Sequence, residues 1–147
     1  MAGSRLNYLT SNDWVLIQAK MLRRTFKLGE EIISEGEWVH SLYVIRRGEA
    51  SVELAGTGSR AIVASLGPQD VCGEISFLGQ CKATAAVIAG DEEVEVEEIN
   101  IGELRKILEA FPRLASRFYL SLATLLALRL KETSGELARE MTLRDRR

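Results

Sequence analysis

A chain of 147 residues, 46% hydrophobic and 27% charged, is long enough for one domain with a proper core, and its composition excludes intrinsic disorder along most of its length. Its 19 Lys and Arg stand against 21 Asp and Glu, a formal charge of -2, so there is no global basic field to hold a nucleic-acid backbone. No apolar run reaches the ~18 residues of a membrane span and no signal-peptide pattern opens the chain, so the expected setting is cytoplasmic.

Cys72, Cys81 and His40 are too few, and wrongly spaced, for a zinc-ligand set, so no structural metal is expected. The two cysteines are read as reduced, half-buried thiols. Arg139, Arg144, Arg146 and Arg147 gather near the C-terminus, but Glu136, Glu140 and Asp145 are interspersed with them, as on a solvated helix end.

In chain order, Ser11, Asn12 and Asp13 precede Trp14, Leu16, Ile17, Ala19, Met21 and Leu22 as an N-cap precedes an apolar helical pattern, which predicts a first helix over residues 11 to 22. From residue 24 to about 100 the period changes to alternation punctuated by glycine. It predicts short antiparallel strands over 24–26, 31–33, 41–45, 49–54, 61–66, 83–89 and 93–100, with Gly56-Thr57-Gly58 at a hairpin tip. Residues 73 to 79 interrupt that pattern with an acid in the first turn and a closing glycine, and predict one short helix among the strands. Asn100 then caps a helix over residues 101 to 110, and residues 113 to about 144 form a long helical pattern with a break near Ser134-Gly135. Leu122, Leu126, Leu130, Leu137 and Met141 fall near one stripe, while Leu120, Leu125 and Leu128 make other faces apolar too. That is more apolar surface than one small roll needs. Its first half is expected to pack on the roll, and its remainder against a second copy or a partner helix.

Three motifs lie in order along the chain: Phe26-x-x-Gly29-Glu30-x-Ile32-Ile33-x-Glu35-Gly36, Leu42-Tyr43-Val44-Ile45-x-x-Gly48 and Leu66-Gly67-Pro68-Gln69-Asp70-x-x-Gly73-Glu74-Ile75. Each alone is a weak turn signal. The triple resembles the cyclic-nucleotide-binding domain family, which includes kinase regulatory subunits, catabolite-activator-type transcription factors and cytoplasmic ends of ion channels. The resemblance implies one α+β, mainly β domain over residues 5 to 147: a short N-terminal helix, an antiparallel β-roll (a double-stranded jelly roll) over 24–100 with a cassette helix, and C-terminal helices over 101–144.

It further implies a phosphate-binding cassette over residues 73 to 86. There Gly73 permits close backbone approach, Glu74 bonds the ribose 2′-hydroxyl, and the cyclic phosphate sits near Ile75 and Ser76 at the start of the short helix. Nine residues after Glu74, where nucleotide-binding members usually carry a phosphate-clamping arginine, this chain has Ala83. Losing a bidentate charged partner costs ~2–4 kcal/mol, tens- to several-hundredfold in affinity. Lys82 is the candidate replacement cation and Thr84 a candidate hydroxyl donor. Gln69, where glycine is common, and Cys72, where a bulky apolar residue is common, mark further drift. Val63 and Val71 are candidate apolar wall residues, with Leu126 or Leu130 as a lid.

The implied function is a regulatory, ligand-sensing module that binds cyclic AMP, cyclic GMP or another small anion and signals to an effector domain or partner protein. The alternative is an interaction or dimerisation module of the same fold that has lost nucleotide binding. No nucleophile–base pattern supports an enzyme, and direct DNA binding would need a further helix-turn-helix segment.

Overall fold

The computed structural model describes residues 5–145; at Glu136, Leu137 and Asp145 it describes the backbone only. Of the sequence features singled out above, Arg146 and Arg147 and the side chains of Glu136, Leu137 and Asp145 lie outside the described residues. The elements are α1 (Ser11–Gln18), β1 (Leu22–Lys27), β2 (Glu31–Ile33), β3 (Ser41–Arg47), β4 (Ala50–Ala55), β5 (Arg60–Leu66), β6 (Val71–Cys72), α2 (Glu74–Gly79), β7 (Ala86–Ala89), β8 (Glu93–Asn100), α3 (Ile101–Ala110) and α4 (Pro112–Asp145). The strands form two four-stranded antiparallel sheets, β1-β8-β3-β6 and β2-β7-β4-β5, which make up the expected roll.

Strand β3 explains the architecture best. Ser41 to Ile45 are all buried, because alternate side chains enter two different cores. Leu42 and Val44 join Trp14, Ile17, Phe77, Leu104, Phe118 and Leu122 in a core between one sheet and the helices. Tyr43 and Ile45 join Phe26, Ile33, Val87, Val94 and Val96 in a core between the two sheets. Both cores share that sheet, so a change in helix packing is felt inside the roll.

The N-terminal helix differs from the sequence expectation. Its cap is Thr10, which accepts from the Asp13 amide at 3.1 Å while the Asp13 carboxylate accepts from the Thr10 amide at 2.9 Å. This capping box makes Asp13 the third helical residue. The helix ends at Gln18, residues 19–21 turn, and Leu22–Lys27 pair residue for residue with Glu98 to Glu93 of β8, so of the residues expected in the helix only Leu22 joins the sheet.

In two further places tertiary context overrides local pattern. Residues 83–85 precede β7, because Ala83 is pinned outside the ladder: its amide donates to the Glu37 carbonyl and its carbonyl accepts from the Gly36 amide, both at 2.9 Å. Helix α4 runs without interruption through Ser134 and Gly135 to Asp145, since neither residue costs more than about 1 kcal/mol in a helix already nucleated. Gly48 has φ +88°, and a Cβ there would lie 2.8 Å from the Glu93 carbonyl oxygen, so the β3–β4 turn admits no side chain.

The long helix packs on the domain only along its first half. Leu114, Phe118, Ser121, Leu122 and Leu125 are buried. Leu122, in that first half, packs on the roll as expected. The outward stripe is Leu120, Ala123, Ala127, Leu130, Ser134 and Met141, all exposed. Among the described residues no helix is long and apolar enough to cross a membrane.

Candidate functional site

A cleft of about 870 Å³ opens between the roll and the middle of α4. Its floor is the loop into α2 and the segment before β7, with Gly73, Glu74, Ile75, Ser76, Ala83 and Thr84. One wall comes from β4 and β5, with Val52, Leu54 and Val63, and the lid comes from α4, with Leu126, Arg129 and Thr133.

Gly73 adopts φ +93°, and a Cβ there would meet the Ser41 carbonyl oxygen at 2.7 Å. Only glycine lets the chain pass so close to β3 and turn at once into α2. Helix α2 is then fixed from three sides. Phe77 is stacked on Tyr119 and edge-on to Phe118 of α4, at centroid separations of 6.2 and 5.8 Å. Arg105 of α3 lies over the Phe77 ring at 5.0 Å and donates to the Phe77 carbonyl at 3.3 Å. Glu74 makes the third tie: it is 4% exposed, and its carboxylate accepts from Nη1 of Arg129, whose Nη2 donates to the Val71 carbonyl at 2.9 Å.

Burial pushes the Glu74 carboxyl above its ordinary range, and the Arg129 charge opposes that shift. Burial likewise raises the Cys72 thiol, with the neighbouring Glu74 charge adding to it. A thiol held protonated is a poor nucleophile. The cleft is equipped to bind: it offers a carboxylate, a guanidinium, the hydroxyls of Thr84 and Thr133, and aliphatic walls suited to the flat face of a base.

The structure brings Gly73, Glu74, Ile75, Ser76, Ala83, Thr84 and Val63 together in this cleft and leaves two expected residues off its lining. Lys82 is exposed and its Nζ lies 5.8 Å from the Trp38 ring centroid, so it stands against the outer surface as a solvated cation over an aromatic face. Val71 is fully buried in the helix-facing core and contributes its carbonyl to Arg129. Leu126 lines the lid, whereas Leu130, one turn further on, is 68% exposed and off the cleft's lining. Gln69 takes φ +79°, which is why a glycine suits that position.

Arg129 escaped the sequence reading. Its signal was present: it is the single charged residue between Arg117 and Lys131 in an otherwise apolar and small-residue stretch. A charge there needs a partner.

The family model for the cyclic nucleotide-binding domain matches residues 23–111, well over half of the chain. The chain belongs to the cyclic nucleotide-binding domain family. Cyclic GMP-binding protein C of Dictyostelium discoideum is 34% identical over 88% of this chain and 5% of its own length. The cAMP-dependent protein kinase regulatory subunit of Mycosarcoma maydis is 29% identical over 87% of this chain and 23% of its own. The cyclic AMP receptor protein of Thermus thermophilus is 30% identical over 93% of this chain and 62% of its own.

The crystal structure of the Thermus thermophilus catabolite activator protein matches with a TM-score of 0.76 at 26% identity, covering 92% of this chain and 62% of that one. A cyclic nucleotide-binding domain from Methylobacillus flagellatus matches with a TM-score of 0.82 at 18% identity, over 90% and 74% of the two chains, and shows the shared fold. This chain thus spans less than two thirds of each of those curated relatives.

Proposed function

We propose that this chain is the sensing part of a regulatory protein, binding cyclic AMP or cyclic GMP in the cleft between the cassette and α4 and reporting occupancy through α4. The observation that carries this reading is the direct bond from Glu74, the cassette acid matched to the family's ribose contact, to Arg129 on the lid helix. A ligand that touches Glu74 thereby touches the element that faces an effector. The relatives named for cyclic GMP, cyclic AMP and a kinase regulatory subunit favour the same ligand class. The setting we assign is cytoplasmic and the role non-enzymatic, with Glu74 and the protonated Cys72 serving the binding site and the core.

The partner we assign to the outer half of α4 is a second copy of the chain. The outward stripe Leu120, Ala123, Ala127, Leu130, Ser134 and Met141 keeps the alternating three- and four-residue spacing of a two-helix seam, which position 137 continues in the sequence. An effector domain or protein then reads the paired helices.

Calorimetric titration with cyclic AMP and cyclic GMP tests the reading. Micromolar binding that weakens about tenfold or more in Glu74→Gln is the expected result. An absence of heat at millimolar nucleotide would leave the chain an interaction module of the same fold.

A further inference from the structure

We propose that the positive charge meeting an anionic ligand in this cleft is Arg129, delivered by the lid helix and not by the cassette. This deepens, and rests on, the reading of the cleft as a cyclic-nucleotide site. Among the described residues, those with a charge that line the cleft are Arg5, Asp70, Glu74, Arg129 and Glu132, two cations against three acids. Arg5 is bound to Asp70 at 3.1 Å with 61% of its side chain exposed, a rim pair whose charges cancel in water. Lys82 faces Trp38 outside the cleft, and Ala83 puts a methyl group on the floor. Among the described cations Arg129 alone combines a position in the cleft with limited exposure, 30% of its side chain.

The hydrogen-bond geometry leaves Arg129 able to do this without moving. A guanidinium has five N–H donors, and the bonds to Glu74 and Val71 engage two of them. The others, in the same rigid plane, can meet a phosphate oxygen while the Glu74 bond persists. Arg129 also offsets the charge of the buried Glu74, which would otherwise repel an incoming anion.

The location has a regulatory consequence. The counter-charge rides on the moving element, so an effector that draws α4 away takes the anion's partner with it and releases the ligand. By linkage, the anion pulls α4 onto the cassette with the same coupling.

The test compares cyclic AMP with adenosine, which keeps base and ribose but lacks the charge; cyclic GMP with guanosine serves if the chain prefers guanine. Arg129→Gln should weaken the cyclic nucleotide by roughly 10- to 100-fold and the nucleoside by less than about 3-fold. Adding Ala83→Arg to that variant should restore much of the loss. Because Arg129→Gln strands a buried carboxylate, the comparison is repeated in a Glu74→Gln background, where the preference for the cyclic nucleotide over the nucleoside should still collapse. Equal weakening of both ligands, or unchanged cyclic-nucleotide binding, would overturn the assignment and leave the proposed function standing. Failure of the unaltered chain to bind either would overturn the proposed function itself.

Discussion

Arg117 of α4 grips Asp13 of α1 through two parallel bonds of 2.7 Å, Nε to Oδ2 and Nη2 to Oδ1. The same carboxylate closes the Thr10 capping box, so one side chain fixes both the start of α1 and its seat on α4. The Arg117 bonds are the main cause of an Asp13 acidity constant lowered from 3.8 to about 2.

For an acid whose constant is lower in the folded than in the unfolded chain, the stabilisation is complete above the unfolded value and fades as pH falls through the folded one. Asp13 should therefore contribute about 1–2 kcal/mol at neutral pH, fading between its unfolded 3.8 and folded value of about 2. Urea unfolding of Asp13→Asn checks it. The variant should be less stable by that amount at neutral pH, with a melting point lower by roughly 2–8 °C, and the gap should narrow across the acid window.

Two glycines with similar dihedral angles should respond differently to alanine. At Gly36 (φ +82°) an added Cβ meets nothing within 4 Å, whereas at Gly73 (φ +93°) it lies 2.7 Å from the Ser41 carbonyl oxygen. Gly36→Ala should cost only the left-handed backbone penalty, about 1–2 kcal/mol. Gly73→Ala should cost about 3 kcal/mol or more and distort the cleft floor. Equal costs measured by denaturant unfolding would contradict the close approach of the cassette to β3.

The two thiols should separate by reactivity. Cys72 is buried with its thiol held protonated, while Cys81 is partly exposed. A thiol reagent applied to the native protein should label Cys81 roughly 100-fold faster than Cys72, as mapped by mass spectrometry, and unfolding should bring the two rates together.

Self-association should depend on the outer face of α4. Leu120 and Leu130 are 50% and 68% exposed on the three–four stripe, so Leu120→Glu or Leu130→Glu should shift the mass seen by light scattering from dimer to monomer without changing the roll's thermal stability. Substituting Arg139, also exposed but on the helix face away from the stripe, should leave the mass unchanged.

The parts of this fold that were legible in the sequence are those whose signal is local. Strand β8 matches the expected residues 93 to 100 because its alternation places Val94 and Val96 inside against the other sheet. The turn glycines were readable for the same reason: Gly29, Gly36 and Gly48 all adopt positive φ. Strand β6 was not, since two residues cannot display a period. Nor was the early end of the first helix, because residues 19–21 turn to bring Leu22 into pairing with Glu98 of β8, and that pairing is a long-range fact. Within the site, Gly73 and Glu74 carry a motif, but Lys82 and Val71 were placed by spacing alone, and one residue of rotation decides which way a side chain points. Arg129 was missed because α4 is apolar on several faces, and a helix without a clear polar side does not reveal which face meets the roll.

Hydrogen exchange read by mass spectrometry, with and without saturating cyclic nucleotide, tests most directly the claim that ligand, cassette and α4 form one unit. Slowed exchange in two separated segments, the cassette around residues 73–77 and 83–85 and the lid around residues 126–133, is the result predicted. Protection confined to the cassette, with α4 exchanging as before, would contradict the coupling through Glu74 and Arg129.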